Sequence, residues 1–201
     1  MPLYRFETEV TKTGSDLVLL AALGEYIQLD AAAISADTTL LNTLLSTAHE
    51  WVQDHTNRLI TTHTVTQKLT AFPLGRCPIE LIESPVASSP APAINYWNSE
   101  STPVLTAFTD FEAVLRSRIS TLSLDTATNW PSDIDLNREF PVEVSYTAGY
   151  ADLAALPDRI EMAIKDHAKG VYDFGQADIE KLTLWLSQVR LERWFQRAYT
   201  S

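Results

Sequence analysis

Apolar and polar positions change period several times along this chain, and each change predicts a new element. Leu20, Leu23 and Ile27 recur at spacings of three and four, which predicts a short helix capped by Ser15 or Asp16 and ending before Asp30. After the polar Ser35-Ala36-Asp37, Leu41, Leu44, Leu45, Ala48, Trp51, Val52 and His55 keep the same rule for four turns. Asn57, a residue type that tolerates a left-handed cap, ends this second helix. From Ile60 to Thr147 a threonine-rich alternation takes over, broken by Pro73, Gly75, Pro78, Pro85, Pro90, Pro92, Pro103 and Pro131. Its strands are expected at Thr62–Phe72, Ile79–Glu83, Ala93–Asn98, Val104–Phe108, Arg118–Leu124 and Val142–Thr147, with Ala87–Ala93 as a loop.

The stretch "VSYTAGYADLAALPDRIEMAIKDHAKGVYD" changes period in its middle. Val142, Val144 and Tyr146 alternate with Glu143, Ser145 and Thr147 as in a half-buried strand. Gly149 can turn through positive φ, and Pro157 fits the first position of a third helix, where its missing N–H has no intrahelical partner to lose. Ile160, Ala163, Ile164, His167, Ala168 and Val171 form that helix's apolar stripe. Gly149 and Pro157 thus form a structural junction without chemistry.

A fourth helix is expected over Asp178–Tyr199. At roughly 100° per residue, Leu182, Trp185, Leu186 and Val189 fall on one side, and Leu184, Leu191, Trp194, Phe195 and Ala198 on nearly the opposite side. Either the rest of the chain folds over both stripes or a partner covers one, and the periodicity does not say which stripe is which. Arg190, Arg193 and Arg197 lie between them, suited to acidic groups at an interface rim. The fold class is therefore α+β, a four-helix core with a β-rich insertion between the second and third helices. Residues 1–59 hold an N-terminal strand or arm and two helices, 60–148 the insertion, and 149–201 the remaining helices.

Composition narrows the function. The chain has 201 residues, is 45% hydrophobic and carries a net charge of −11. Residues 1–60 hold 3 Lys/Arg against 8 Asp/Glu, residues 61–153 hold 5 against 11, and residues 154–201 hold 7 against 7. That balance argues against tight wrapping of a phosphate backbone. Leu17–Leu23 is the longest early apolar run, too short to span a bilayer or to form a signal segment, so a soluble, unexported chain without membrane partners is expected. The lone Cys77 forms no internal disulfide.

Candidate chemistry fails motif by motif. His49-Glu50 would need a second histidine four residues after the first to bind zinc, and Gln53 stands there, so His49 and His55 read as helix-surface and core-edge residues. Asp173-Phe174-Gly175 spells the kinase metal-binding triplet without its companion motifs and reads as a helix end. Cys77 beside Pro78 lacks a nearby His or second Cys and reads as a buried small hydrophobe. Asp133 and Asp135 sit in a polar loop with no opposed acid in view. No catalytic residue, metal ligand or cofactor fingerprint emerges.

The order of features carries the remaining information. A short helix ending in "YIQLD", the helix "LLNTLLSTAHEWVQDHTNRLI", strands ending in "TAFP", "IELIESPV" and "INYWN", then "NWP" and "VEVSYTAGYADLAALPDRIEMAI" resemble the head–tail connector (adaptor) proteins of long-tailed bacteriophages and gene transfer agents, over residues 15–195. Asn57 stands where that family often has Gly, and "SEST" after Asn98 lacks the Asp-Gly turn common in relatives, which leaves the register of that hairpin open. The resemblance implies a connector-type helical core and a non-enzymatic virion protein, made in the host cytoplasm and placed at the head–tail interface. Implied partners are the portal protein, a neck, stopper or tail-completion protein, further copies of itself in a dodecameric ring, and packaged DNA passing through the lumen without sequence-specific binding. Leu184, Arg190, Leu191, Arg193, Trp194, Phe195 and Arg197 are the expected contacts to portal or neighbouring subunit. A neck or tail-completion protein at another level of the particle, a free-standing protein-binding module, and a hydrolase built on the β lobe are the competing readings.

Overall fold

The computed structural model describes residues 5–116, 119–125 and 127–174. Its helices and antiparallel sheets make an α+β protein whose chain divides into two compact units. One takes the chain up to Thr13 together with Thr62–Gly149, the other Gly14–Thr61 together with the chain from Tyr150.

The helical unit holds α1 (Leu20–Ile27), α2 (Ala31–Ala36), α3 (Thr38–Thr56) and α4 (Asp158–Phe174). Helix α1 starts later than expected. Its cap position is Leu19, without a side-chain bond, so neither Ser15 nor Asp16 caps it. Asp30, expected only to follow the first helix, caps α2: its carboxylate accepts from the Ala33 N–H at 2.8 Å. The alanine-rich α2, which buries none of its residues, has no apolar stripe and was therefore invisible to periodicity. The two helices approach closely because residue 24 is glycine; a Cβ there would collide with Ile34 Cδ1. Helix α3 ends as expected, with Asn57 in the left-handed region at φ 53°. Leu41, Leu45, Ala48 and Val52 of α3 and Ile160, Ala163, Ile164 and Ala168 of α4 are buried in a common core with Leu23, Ile27 and Tyr150. The expected fourth helix, Asp178–Tyr199, lies outside the described residues.

The β unit holds β1 (Phe6–Lys12), β2 (His63–Leu69), β3 (Ile79–Leu81), β4 (Ala93–Trp97), β5 (Leu105–Phe108), β6 (Phe111–Val114), β7 (Ser120–Leu124) and β8 (Val142–Ala148). Strand β6 was not foreseen, because four residues are too few for a period of two to register. The five-stranded sheet runs in the order β1-β2-β8-β4-β5 and is antiparallel throughout; β3-β7-β6 form a second sheet. Directly opposed residues share a face, so Leu69, Val142 and Tyr96 point the same way, as do Gln67, Val144 and Ile94. The hairpin left open by "SEST" is pinned without Asp-Gly: the Asn98 N–H donates to the Val104 carbonyl at 3.1 Å, and the Asn98 side-chain oxygen accepts from the Val104 N–H at 2.8 Å.

Gln67 ties the two sheets together from within the core. Its side chain is buried, its Nε2 donates to the Glu80 carbonyl at 3.0 Å, and its Oε1 accepts from the Ile82 N–H at 3.4 Å. The Tyr146 hydroxyl accepts from the Glu83 N–H at 3.0 Å on the same face, and burial pushes its pKa up. Gln67→Leu keeps the volume but removes the donor to the Glu80 carbonyl and the side-chain acceptor facing the Ile82 N–H. It is expected to destabilise the fold by about 1–3 kcal/mol in urea unfolding with an unchanged m-value.

Candidate interaction surfaces

The side chains of His49, Asp135 and Asp173 make local structural bonds, and Cys77 does so through its backbone. His49 is buried rather than on the helix surface: its Nδ1 lies 2.8 Å from the Leu45 carbonyl and its Nε2 accepts from the Val18 N–H at 3.3 Å. One neutral tautomer, protonated at Nδ1, satisfies both bonds. Cys77 is exposed rather than buried, because it sits in the turn where its N–H reaches the Leu74 carbonyl at 3.4 Å. Its own carbonyl accepts from the Trp130 indole N–H at 3.1 Å. Asp135 closes a loop by accepting from the Asn137 N–H at 3.1 Å and facing Arg138 Nε at 3.5 Å, while the Arg138 guanidinium lies 3.7 Å above the Trp97 ring. Asp173 pairs with Lys169 at 2.5 Å along α4. Among the described residues, no group of three or more His, Cys, Asp or Glu could hold a metal ion.

The helical unit does carry a ring stack. His55 lies 4.0 Å from Trp51 and His167 4.9 Å from it, ring centre to ring centre. His167 is buried, and its Nδ1 has no hydrogen-bond partner among the described residues. Desolvation, with a smaller contribution from His55, lowers the His167 pKa. Nearby, α1 and α4 are joined by the Tyr26 hydroxyl donating to Asp166; burial first, and that carboxylate second, push the tyrosine pKa up to about 12. The Tyr172 hydroxyl donates to Asp37 at 3.1 Å.

The strand-to-helix junction has the geometry its residues imply, one position displaced. Gly149 sits at φ 110°, and its N–H donates to the Pro85 carbonyl at 2.8 Å. Pro157 occupies the cap rather than the first helical position, since α4 begins at Asp158. Its carbonyl accepts the first bonds of the helix, from Ile160 at 2.8 Å and Glu161 at 3.2 Å. The residues expected to bind portal or neighbour, Leu184, Arg190, Leu191, Arg193, Trp194, Phe195 and Arg197, lie outside the described residues.

Strands β1 and β5 form the two edges of the five-stranded sheet. Thr70 N–H donates to the Arg5 carbonyl at 3.1 Å and Thr13 N–H to the Thr62 carbonyl at 2.9 Å. Antiparallel alternation between these ends turns the backbone groups of Glu7, Glu9 and Thr11 toward β2 and those of Phe6, Thr8 and Val10 outward. At the opposite edge, the bond from Asn98 to Val104 turns Thr106 and Phe108 toward β4 and leaves Leu105 and Ala107 facing outward. Phe6 is 55% exposed and Val10 40%, although both lie on the face that buries Val65 and Leu69. The alternation Phe6-Glu7-Thr8-Glu9-Val10 was the available signal for β1.

No family model and no curated protein matches the chain. Its fold is shared with solved particle structures. A chain of the neck of an empty GTA particle, computed with C6 symmetry, matches with a TM-score of 0.67 and 17% identity, covering 90% of this chain and 95% of that one. A chain of the virion of a native gene transfer agent (GTA) particle gives 0.65 and 18%, covering 90% and 94%. A chain of the neck of a native GTA particle, computed with C12 symmetry, gives 0.58 and 20% over the same shares. No described helix is long and apolar enough to cross a membrane.

The buried His167 makes stability depend on pH. Its folded-state pKa lies below the ordinary 6.5, so as pH falls the unfolded chain takes up the proton first. The contribution is intact above about pH 6.5 and is lost below it. Urea midpoints at about pH 7.5 and about pH 5 are expected to differ less for His167→Leu than for the unsubstituted chain.

Proposed function

We propose that this chain is a non-enzymatic structural component of a phage-like particle, a head–tail connector that assembles as a ring beneath the portal. The observation that supports the reading most is the likeness of fold, over 90% of this chain, to neck and virion chains of GTA particles. The C6 and C12 symmetries of those neck structures favour self-association into a ring, dodecameric on this reading. The helical unit serves as the four-helix connector-type core and the β-rich segment as its insertion, with functional segments 1–59, 60–148 and 149–201. Gly149 and Pro157 return the chain from strand to helix and take no part in a reaction.

On this reading the chain is a virion component at the head–tail interface, with portal above and a neck, stopper or tail-completion protein below. Its net charge of −11 suits a channel wall, because a lumen lined with acid lets a duplex slide with its counterions instead of retaining it. The stretch from Asp178 is the docking element: Leu184, Leu191, Trp194 and Phe195 supply an apolar stripe and Arg190, Arg193 and Arg197 its polar rim.

Mixing the purified chain with a portal ring tests both parts. Co-sedimentation in a stoichiometric complex is expected. Trp194→Ala should weaken portal binding by about 2 kcal/mol or more while leaving the melting temperature of the free chain unchanged. Absence of any complex at any protein concentration would contradict the connector reading. Melting of the free chain with unchanged binding per folded molecule would remove the docking role from Trp194.

A further inference from the structure

We propose that the five-stranded sheet continues from one copy of this chain into the next, the outer edge of β1 pairing in parallel with the outer edge of β5 of its neighbour. The inference rests on the ring reading above and names the surface that closes the ring.

Strand direction comes first. The sheet reverses at each of its steps from β1 through β2, β8 and β4 to β5, so β1 and β5 run the same way. Copies related by rotation, sheet beside sheet, therefore meet in a parallel pair. In such a pair a residue whose backbone faces its partner bonds to the two residues that flank its opposite number. The outward residues fit this rule: the Thr8 N–H meets the Leu105 carbonyl and the Thr8 carbonyl the Ala107 N–H. Phe6 and Val10 then complete four bonds with the same two residues.

Side chains agree with that register. It sets Phe6 beside Val104, Thr8 beside Thr106 and Val10 beside Phe108, all on the face that carries Val65 and Leu69. Phe6, Val104 and Val10 are 55%, 52% and 40% exposed in the single chain, so the pairing covers apolar surface at both edges at once. The competing contact, β1 against β1 of a second copy, is antiparallel, and its register of fullest overlap, Thr8 against Thr8, sets Glu7 directly opposite Glu9 twice over. Strand β5, Leu105-Thr106-Ala107-Phe108, carries no charge. Because the two edges differ, the contact is heterologous and generates a ring when its rotation closes.

Proline gives the test, because at Thr8 it removes an outward N–H and spares the β1–β2 ladder, whereas at Glu9 it removes a ladder bond. Ring formation by the full chain is measured by mass photometry across a concentration series, with and without portal. Thr8→Pro is expected to melt like the unsubstituted chain and to need about a ten- to hundred-fold higher concentration to form rings, while Glu9→Pro lowers the melting temperature. With Cys77 replaced by Ser, a mixture of Thr8→Cys and Thr106→Cys chains should cross-link through a short bismaleimide, and neither variant alone should. Rings formed normally by Thr8→Pro, or cross-linking of Thr8→Cys to itself, would overturn the sheet contact and leave the ring. Failure of the unsubstituted chain to form rings under every condition would overturn both.

Discussion

The seven-residue ladder between β2 and β8 is the constraint on which the rest of the structure depends. His63 pairs with Ala148 and Leu69 with Val142, although residues 70–141 of the chain separate the strands. Closing so long a loop is entropically unfavourable, and the ladder must repay it with backbone bonds and with Val65, Leu69, Val142 and Val144 fully buried on one face. Once formed, it sets β1 on one flank and β4 on the other, and it brings the points where the chain enters and leaves the β unit side by side. The Tyr150 N–H then donates to the Ile60 carbonyl at 3.2 Å as the helical unit resumes.

What was legible in the sequence follows from how strongly each element is patterned. Helix α3 and the stripe of α4 were readable residue by residue, because each buries one face and therefore repeats at three and four. Strand β8 was readable because both of its neighbours bury the same face. Asn57 as a cap followed from its tolerance of positive φ. The misses have the same logic. Helix α2 buries nothing and has no stripe; β6 is too short for a period; and Asp30 caps α2 although no apolar run marks that helix's start. His49 went wrong for another reason: periodicity placed it beside the stripe, but only the fold could reveal that Val18 supplies a donor to its ring.

The surfaces divide likewise. The side chains of His49, Asp135 and Asp173 make local bonds that spacing alone did not reveal, and Cys77 is exposed in a turn rather than buried. The two sheet edges could not be read in advance, since an edge is a property of topology, here that no further strand flanks β1 or β5 among the described residues. Charge fits the same account: the acidic balance favours solvation over tight binding of a phosphate backbone.

The proposed role is positional: a ring of this chain at the junction of head and tail. Cryo-electron imaging of purified particles with symmetry imposed about the tail axis tests it most directly. The account predicts density that fits this fold, repeated around the axis between portal and tail, with a continuous channel through its centre. Particles whose head–tail junction lacks that density, or in which the fold sits on the capsid surface or at the tail tip, would contradict it.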